Sequence, residues 1–263
     1  MKLKIGDIDF NLLVKGAASN NAAIVFLHYF GGSSESWREV IAHLEKDYRC
    51  IAPDLRGFGQ TAGARSYTIE EYAQDVIDLV SAIDLKNYIL VGHSMGGKLA
   101  LAAAAQNQEN LNSLILIAPS PPTPEPMAEK ERRRLLNSHG ISDAAEQTIK
   151  NGVCRPLPDE VFRQAIKDNL ESDDDAWKAW LEVGSRQDIS AAVEKISVPV
   201  FAAVGSEDEN MTAELINREI VSRISGAELS VIDNAKHLLP LEASLEIAEF
   251  IRQAVERTFY REN

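Results

Sequence analysis

Tyr88-Ile89-Leu90-Val91-Gly92-His93-Ser94-Met95-Gly96-Gly97-Lys98-Leu99-Ala100-Leu101-Ala102 runs from a wholly apolar segment into an alanine-rich one, with Ser94 at the turn between them. A short strand that is apolar at every position reads as buried on both faces, as in a parallel sheet covered by helices on each side. The turn from such a strand into a helix holds its central residue in a strained backbone conformation, and Gly92 and Gly96 leave space where larger neighbours would clash. The strain lifts the Ser94 Oγ clear of the sheet, and the first free N–H groups of the helix point toward it. A bare G-x-S-x-G arises by chance in a chain of this length about one time in ten at ordinary glycine and serine usage. Its weight comes from the strand before it and the helix after it.

The same alternation extends in both directions. Residues 3–15 read as an opening hairpin, and short apolar strands follow at 23–27, 50–52, 88–91, 114–117, 198–204 and 229–232. Helical periodicity falls between them at about 36–47, 69–84, 96–108, 211–224 and 240–258, the second opened by the capping box Thr68-x-x-Glu71. The alternation stops after Ala118. Pro119, Pro121, Pro122, Pro124 and Pro126 break the chain, and residues 127–195 read as about four helices without a strand, one of them capped at Ser172 and acidic in its first turn. The expected architecture is an α/β core of residues 1–119 and 196–263, with a mostly parallel central sheet flanked by helices, and an inserted helical cap of residues 120–195. The cap is expected over the carboxyl end of the sheet.

A serine on such a turn needs a base to be nucleophilic and an acid to hold that base. Val200-Phe201-Ala202-Ala203-Val204-Gly205-Ser206-Glu207-Asp208 ends one strand in carboxylates, and Leu229-Ser230-Val231-Ile232-Asp233-Asn234-Ala235-Lys236-His237 ends the next in a histidine. Parallel strands bring both loops to the edge that carries Ser94. Ser94, Asp208 and His237 stand in the chain order serine, acid, histidine that this constellation takes on an α/β sheet. His237 is the candidate general base and Asp208 the group that fixes its tautomer, with Glu207 and Glu209 as competitors one residue to either side. The candidate oxyanion donors are the backbone N–H groups of Met95, at the helix start, and of Phe30, in His28-Tyr29-Phe30-Gly31-Gly32-Ser33.

These segments resemble the α/β-hydrolase superfamily along essentially the whole chain: the oxyanion loop at 28–33, Pro53-Asp54-Leu55-Arg56-Gly57-Phe58-Gly59 after the next strand, Gly92-His93-Ser94-Met95-Gly96-Gly97, Gly205-x-x-Asp208 and His237. Five motifs in order are far more specific than any one of them. The family commonly has glycine after the oxyanion-loop histidine, whereas this chain has Tyr29, which puts a bulky side chain beside the acyl pocket. Tyr29, Trp177 and Trp180 are the candidate pocket residues, the two tryptophans three apart on one helical face. His28 and His93 read as structural, His43 as a surface residue, His139 as a weaker pocket candidate, and Asp54 and Arg56 as loop braces.

The resemblance implies a serine hydrolase of the carboxylesterase kind, acting on a small-molecule ester or related acyl substrate without a cofactor. Carbon–carbon hydrolysis, lactone opening and haloperoxidase-like perhydrolysis use the same triad, and a hydrolase-fold ligand receptor is the reading from another class. Serine at position 94, rather than aspartate, excludes the family members that cleave carbon–halogen bonds or epoxides through an alkyl ester. Twenty-seven basic against forty acidic residues give a net charge of −13, which disfavours nucleic acid and anionic membranes as partners. No apolar stretch approaches membrane-spanning length, the amino terminus lacks the apolar run of a signal peptide, and two cysteines do not read as a disulfide framework, so a cytoplasmic protein is expected. The five histidines show no metal-ligand spacing, and none is expected to bind one. The sequence specifies no oligomeric state.

Overall fold

The structure, a computed structural model, describes residues 1–17, 22–64 and 66–259. Strands β1 (Lys2–Ile5) and β2 (Ile8–Lys15) form the opening hairpin, turning at Gly6 with φ +56°. They are followed by β3 (Ala23–Leu27), α1 (Arg38–Leu44), β4 (Cys50–Pro53), α2 (Ile69–Ala82), β5 (Tyr88–His93), α3 (Met95–Gln106) and β6 (Leu111–Ile117). The next stretch is helical: α4 (Glu129–Ser138), α5 (Ser142–Asn151), α6 (Asp159–Glu171), α7 (Asp174–Glu182) and α8 (Ser190–Val193). The chain then closes with β7 (Val200–Gly205), α9 (Ala213–Ile216), β8 (Glu228–Ile232), α10 (Leu239–Glu242) and α11 (Ser244–Phe259).

Among the described residues these strands make one eight-stranded sheet in the order β1-β2-β4-β3-β5-β6-β7-β8. β2 runs antiparallel to both β1 and β4, and every pairing from β4 through β8 is parallel. The helix pairs α2 with α3 and α1 with α11 pack on the sheet, and β3, β4, β5 and β7 are buried at every position. That burial is why their sequences are continuously apolar rather than alternating. β8 forms the far edge and keeps exposed positions, so Ser230 and Val231 break the pattern.

Three local expectations are corrected. The helix expected from Ser172 is capped by Asp173, whose carboxylate accepts from the N–H groups of Asp175 and Ala176, while the Ser172 hydroxyl turns back to the Asp168 carbonyl and closes α6. The helix expected over 211–224 starts after the Thr212 cap and widens into a π-turn at Asn217–Val221. The carboxy-terminal helix is interrupted at Ala243 (φ −135°, ψ 40°), where the chain changes direction from α10 to α11.

Lys98 fastens the helical stretch to the core. Its side chain is completely buried inside α3, and the ammonium donates to the carbonyls of Thr123 (3.1 Å) and Gln187 (2.6 Å), which lie on the two sides of helices α4 to α7. Burial pulls its pKa down to about 8, against the pull of Glu125 and Asp188.

Candidate active site

The turn from β5 into α3 explains the glycines around Ser94. A Cβ on Gly92 would sit 2.4 Å from the Gly96 carbonyl oxygen, and one on Gly96 would sit 2.5 Å from that of Leu27, so helix and sheet approach too closely for any other residue. Ser94 adopts φ 52°, ψ −117°, a conformation that costs a non-glycine residue about 1–3 kcal/mol. Surrounding hydrogen bonds hold it there. Its N–H donates to the Ile117 carbonyl, and its own carbonyl accepts from the N–H groups of Gly97 and Ser120. A serine before a helix commonly spends its Oγ capping the first turn. Ser94 makes no such bond, and its Oγ lies 2.9 Å from His237 Nε2 instead.

His237 Nδ1 lies 2.7 Å from Asp208 Oδ2. The other oxygen, Oδ1, accepts from the N–H groups of Asn210 (2.9 Å) and Met211 (3.0 Å), which fixes the rotation of the carboxylate and aims Oδ2 at the ring. Burial acts to raise the Asp208 pKa, but the facing imidazole and the three hydrogen bonds outweigh it and bring it down to about 2. His237 responds in the opposite sense: burial lowers its pKa, the charge and hydrogen bond of Asp208 raise it, and the net is upward. Of the competing carboxylates, Glu207 is exposed and bonded to the Ser206 hydroxyl, and Glu209 is exposed at the cavity rim. Only Asp208 reaches the ring.

Two further histidines of these loops are buried, have lowered pKa values and brace backbone. His93, whose pKa burial and the nearby His237 lower to about 3, donates from Nε2 to the His237 carbonyl at 2.8 Å. His28 accepts from the Leu55 N–H at Nε2 and therefore donates from Nδ1 to the Tyr29 carbonyl. Asp54 accepts from the N–H groups of Ser34 and Gln60, and Arg56 makes paired 2.6 Å bonds to Asp75. His43 is exposed on α1. The N–H groups of Phe30 and Met95 have no hydrogen-bond partner among the described residues, so both are free donors.

These groups open on a cavity of about 640 Å³. Trp177 and Trp180 both line it and are both buried, so each is at once wall and packing. Trp177 lies 4.2 Å from the Phe30 ring, stacks on His139 at 4.3 Å, and donates from Nε1 to the Leu135 carbonyl. His139 supports that wall and does not line the cavity itself. Truncating Trp180 to alanine is therefore expected to do two things: to cost about 3–5 kcal/mol of stability and to raise KM for bulky substrates, with kcat for a small one nearly unchanged. Melting curves and matched kinetics check both halves.

Several lining residues carried no signal in the sequence, Glu125 among them. Glu125 lies in the proline-rich stretch after β6; its N–H is bonded to the Ser185 carbonyl, and its carboxyl accepts from the Ser120 hydroxyl, next in line to Ser94. Burial raises its pKa in spite of Ser120 and Lys98. Among the described residues no group of three His, Cys, Asp or Glu side chains gathers as a metal site, and no helix is long and apolar enough to cross a membrane.

A strained serine after β5, an acid after β7 and a histidine after β8, all at one edge of a parallel sheet, make a site of the α/β-hydrolase type, and the alpha/beta hydrolase fold profile matches residues 22–151. The chain belongs to the α/β-hydrolase fold superfamily. A solved esterase from Thermogutta terrifontis is 25% identical, with a TM-score of 0.85 over 98% of this chain and 99% of that one. The 3-oxoadipate enol-lactonase 2 of Acinetobacter baylyi is 24% identical over 98% of this chain and 95% of its own length. A shorter stretch of 88 residues is 39% identical to an uncharacterized protein of Mycobacterium bovis, and that match spans only 26% of the relative.

Proposed function

We propose that this chain is a serine hydrolase that cleaves a carboxylic ester through an acyl-enzyme on Ser94. The observation that carries the reading is the continuous line from Asp208 Oδ2 through His237 to Ser94 Oγ, with bonds of 2.7 and 2.9 Å, opening on a cavity of about 640 Å³. His237 Nε2 takes the hydroxyl proton as Oγ attacks the ester carbonyl, and the negative oxygen that forms is held by the N–H groups of Phe30 and Met95. Collapse of that intermediate breaks the carbon–oxygen bond, and His237 returns the proton to the departing alcohol. Water then repeats the sequence on the acyl-enzyme, releases the acid and restores the serine. Asp208 holds Nδ1–H toward itself throughout and stabilises the imidazolium. Helices α4 to α8 act as the cap that shapes substrate choice.

Lactone opening is the second reading, and it is favoured by the likeness to an enol-lactonase over nearly the full chain. A lactone is an internal ester, so the same steps apply with the leaving alcohol still tethered to the acid. A panel of esters varied in acyl and alcohol size, with lactones, a ring-cleavage diketone and hydrogen peroxide as separate arms, decides among the chemistries. Turnover of none of them, with specific binding of a small molecule, would assign the fold to a receptor.

The pH dependence follows from the site. Protonated His237 cannot accept the serine proton, so kcat/KM falls as pH drops through its pKa, and that pKa is held above the ordinary histidine value of about 6.5. A single acidic limb with its midpoint above pH 6.5 is expected in the free enzyme. Glu125 is among the charges that raise His237, so Glu125→Gln should move the midpoint to lower pH. A flat profile from pH 5 to 8 would remove His237 from the role of base.

A further inference from the structure

Most polar side chains that line the cavity beside Ser94 are already engaged: Glu125 with Ser120, Glu131 with Arg134, Thr148 with the Ala144 carbonyl, Asn151 with Gln147, and His237 with both Asp208 and Ser94. Asn169, on α6, is not. It is only 4% exposed, it lines the cavity, and its amide has no hydrogen-bond partner among the described residues. The Tyr29 hydroxyl is unpartnered too, but that atom is shut off within the packing around the His93 ring, whereas the Asn169 amide keeps contact with the cavity. Two features fix where the amide stands. The Ser33 hydroxyl of the oxyanion loop donates to Asp168, the residue before Asn169, at 2.7 Å and so ties α6 to that loop. Gly31, with φ +78°, leaves the room: a Cβ there would stand 2.9 Å from Asn169 Nδ2 and 3.0 Å from the Trp177 ring. Gly31 directly follows Phe30, so the amide nitrogen lies beside the loop that carries a candidate oxyanion donor.

Resting on the esterase reading above, we infer that Asn169 sets specificity: its amide N–H donates to a second carbonyl oxygen of the substrate, a keto or further ester group a few atoms from the scissile bond. An amide facing an open cavity is hydrated, and a ligand that fills the cavity strips that water away. A substrate with an acceptor oxygen at this point replaces the lost hydrogen bond. An alkyl group of the same shape leaves the N–H unpaired against Gly31 and Trp177, so the site rejects the alkyl analogue as much as it attracts the keto one. The amide carries no charge, which matches it to a neutral carbonyl; a carboxylate is held better by arginine or lysine.

The test uses shape-matched pairs in which a carbonyl replaces a branched carbon: p-nitrophenyl 4-oxopentanoate against p-nitrophenyl 4-methylpentanoate for the acyl arm, and 2-oxopropyl acetate against isobutyl acetate for the alcohol arm. The readout is the keto-to-alkyl ratio of kcat/KM. Asn169→Leu, which removes the amide at similar volume, is expected to lower that ratio about tenfold in one of the two pairs. Comparing variant with wild type cancels the difference in intrinsic reactivity within a pair. Asn169→Asp keeps the shape and should lower the same ratio, because a carboxylate repels the carbonyl oxygen, and it decides the matter if the leucine variant does not fold. A ratio left unchanged in both pairs overturns the inference even if all rates fall together, since an equal fall means that the amide only props the oxyanion loop. If the wild type turns over no ester, the esterase reading fails by itself. The contact is then decided by calorimetry of the same esters on Ser94→Ala with and without Asn169→Leu, where tighter binding of a keto partner that the second substitution removes supports it and equal affinities overturn it.

Discussion

Ester hydrolysis by Ser94→Ala is expected to fall in kcat by about 10⁶-fold, the loss seen when the nucleophile of a serine triad is removed. The variant should still fold, because the Ser94 Oγ caps no helix and makes no bond other than that to His237. Relief of a hydroxyl from a crowded turn does not relieve the backbone, since alanine occupies φ 52° no more easily than serine does. A fluorophosphonate probe should modify the wild type once, on the peptide that contains Ser94, and leave the variant unmodified. Labelling at another serine, or ester turnover in the variant near the wild-type rate, would end the assignment.

Asp208→Asn is expected to lower kcat by about 10⁴-fold, as wrong-tautomer substitutions do in serine triads. The geometry says how. The N–H groups of Asn210 and Met211 both donate to Oδ1, so in the variant they hold the amide oxygen there and leave the amide nitrogen facing His237 Nδ1. A nitrogen that donates to Nδ1 forces the ring proton onto Nε2, the atom that must accept from Ser94. Glu207→Gln should be close to wild type, because that carboxylate is exposed and bonded only locally. Steady-state kinetics on one activated ester, with melting curves to show that both variants fold, check the pair; a large loss in Glu207→Gln with a normal Asp208→Asn would exchange their roles.

The features legible in the sequence are those written by local sterics. Gly92, Gly96 and the apolar run before them specify the turn at Ser94 because each contact involved lies within a few residues or on the adjoining strand. The strands of a mostly parallel sheet were legible as apolar runs, because such a sheet is covered on both faces, whereas their order came from the structure alone. Among Glu207, Asp208 and Glu209 the Gly205-x-x-Asp208 spacing picks out the middle carboxylate, and what the sequence does not show is how the turn after β7 directs it inward. That direction comes from the Asn210 and Met211 N–H groups. Glu125 was invisible for a related reason: its proline-rich segment has no periodicity, and its path past the cavity is set by a bond to Ser185, sixty residues later in the chain. The tryptophans were posed as packing or as pocket. A helix that lies on a cavity makes them both.

The histidine loop and the helical stretch share anchor points. The N–H groups of His237 and Leu238 both donate to the Gly152 carbonyl, just past α5, and the Glu242 carboxylate gathers the N–H groups of Lys236, Cys154 and Arg155. Residues 152–155 thus serve as a bracket for the loop that carries His237. For chimera design this moves the seam. A foreign cap spliced in at the ends of the helical insertion would arrive without a carbonyl at the right height for His237, and it would lose activity for reasons unrelated to substrate fit. A graft that replaces α4 and α6 to α7 but keeps Gly152 to Arg155 from the host leaves the base seated, so that changes in selectivity among such hybrids report on the pocket rather than on a displaced imidazole.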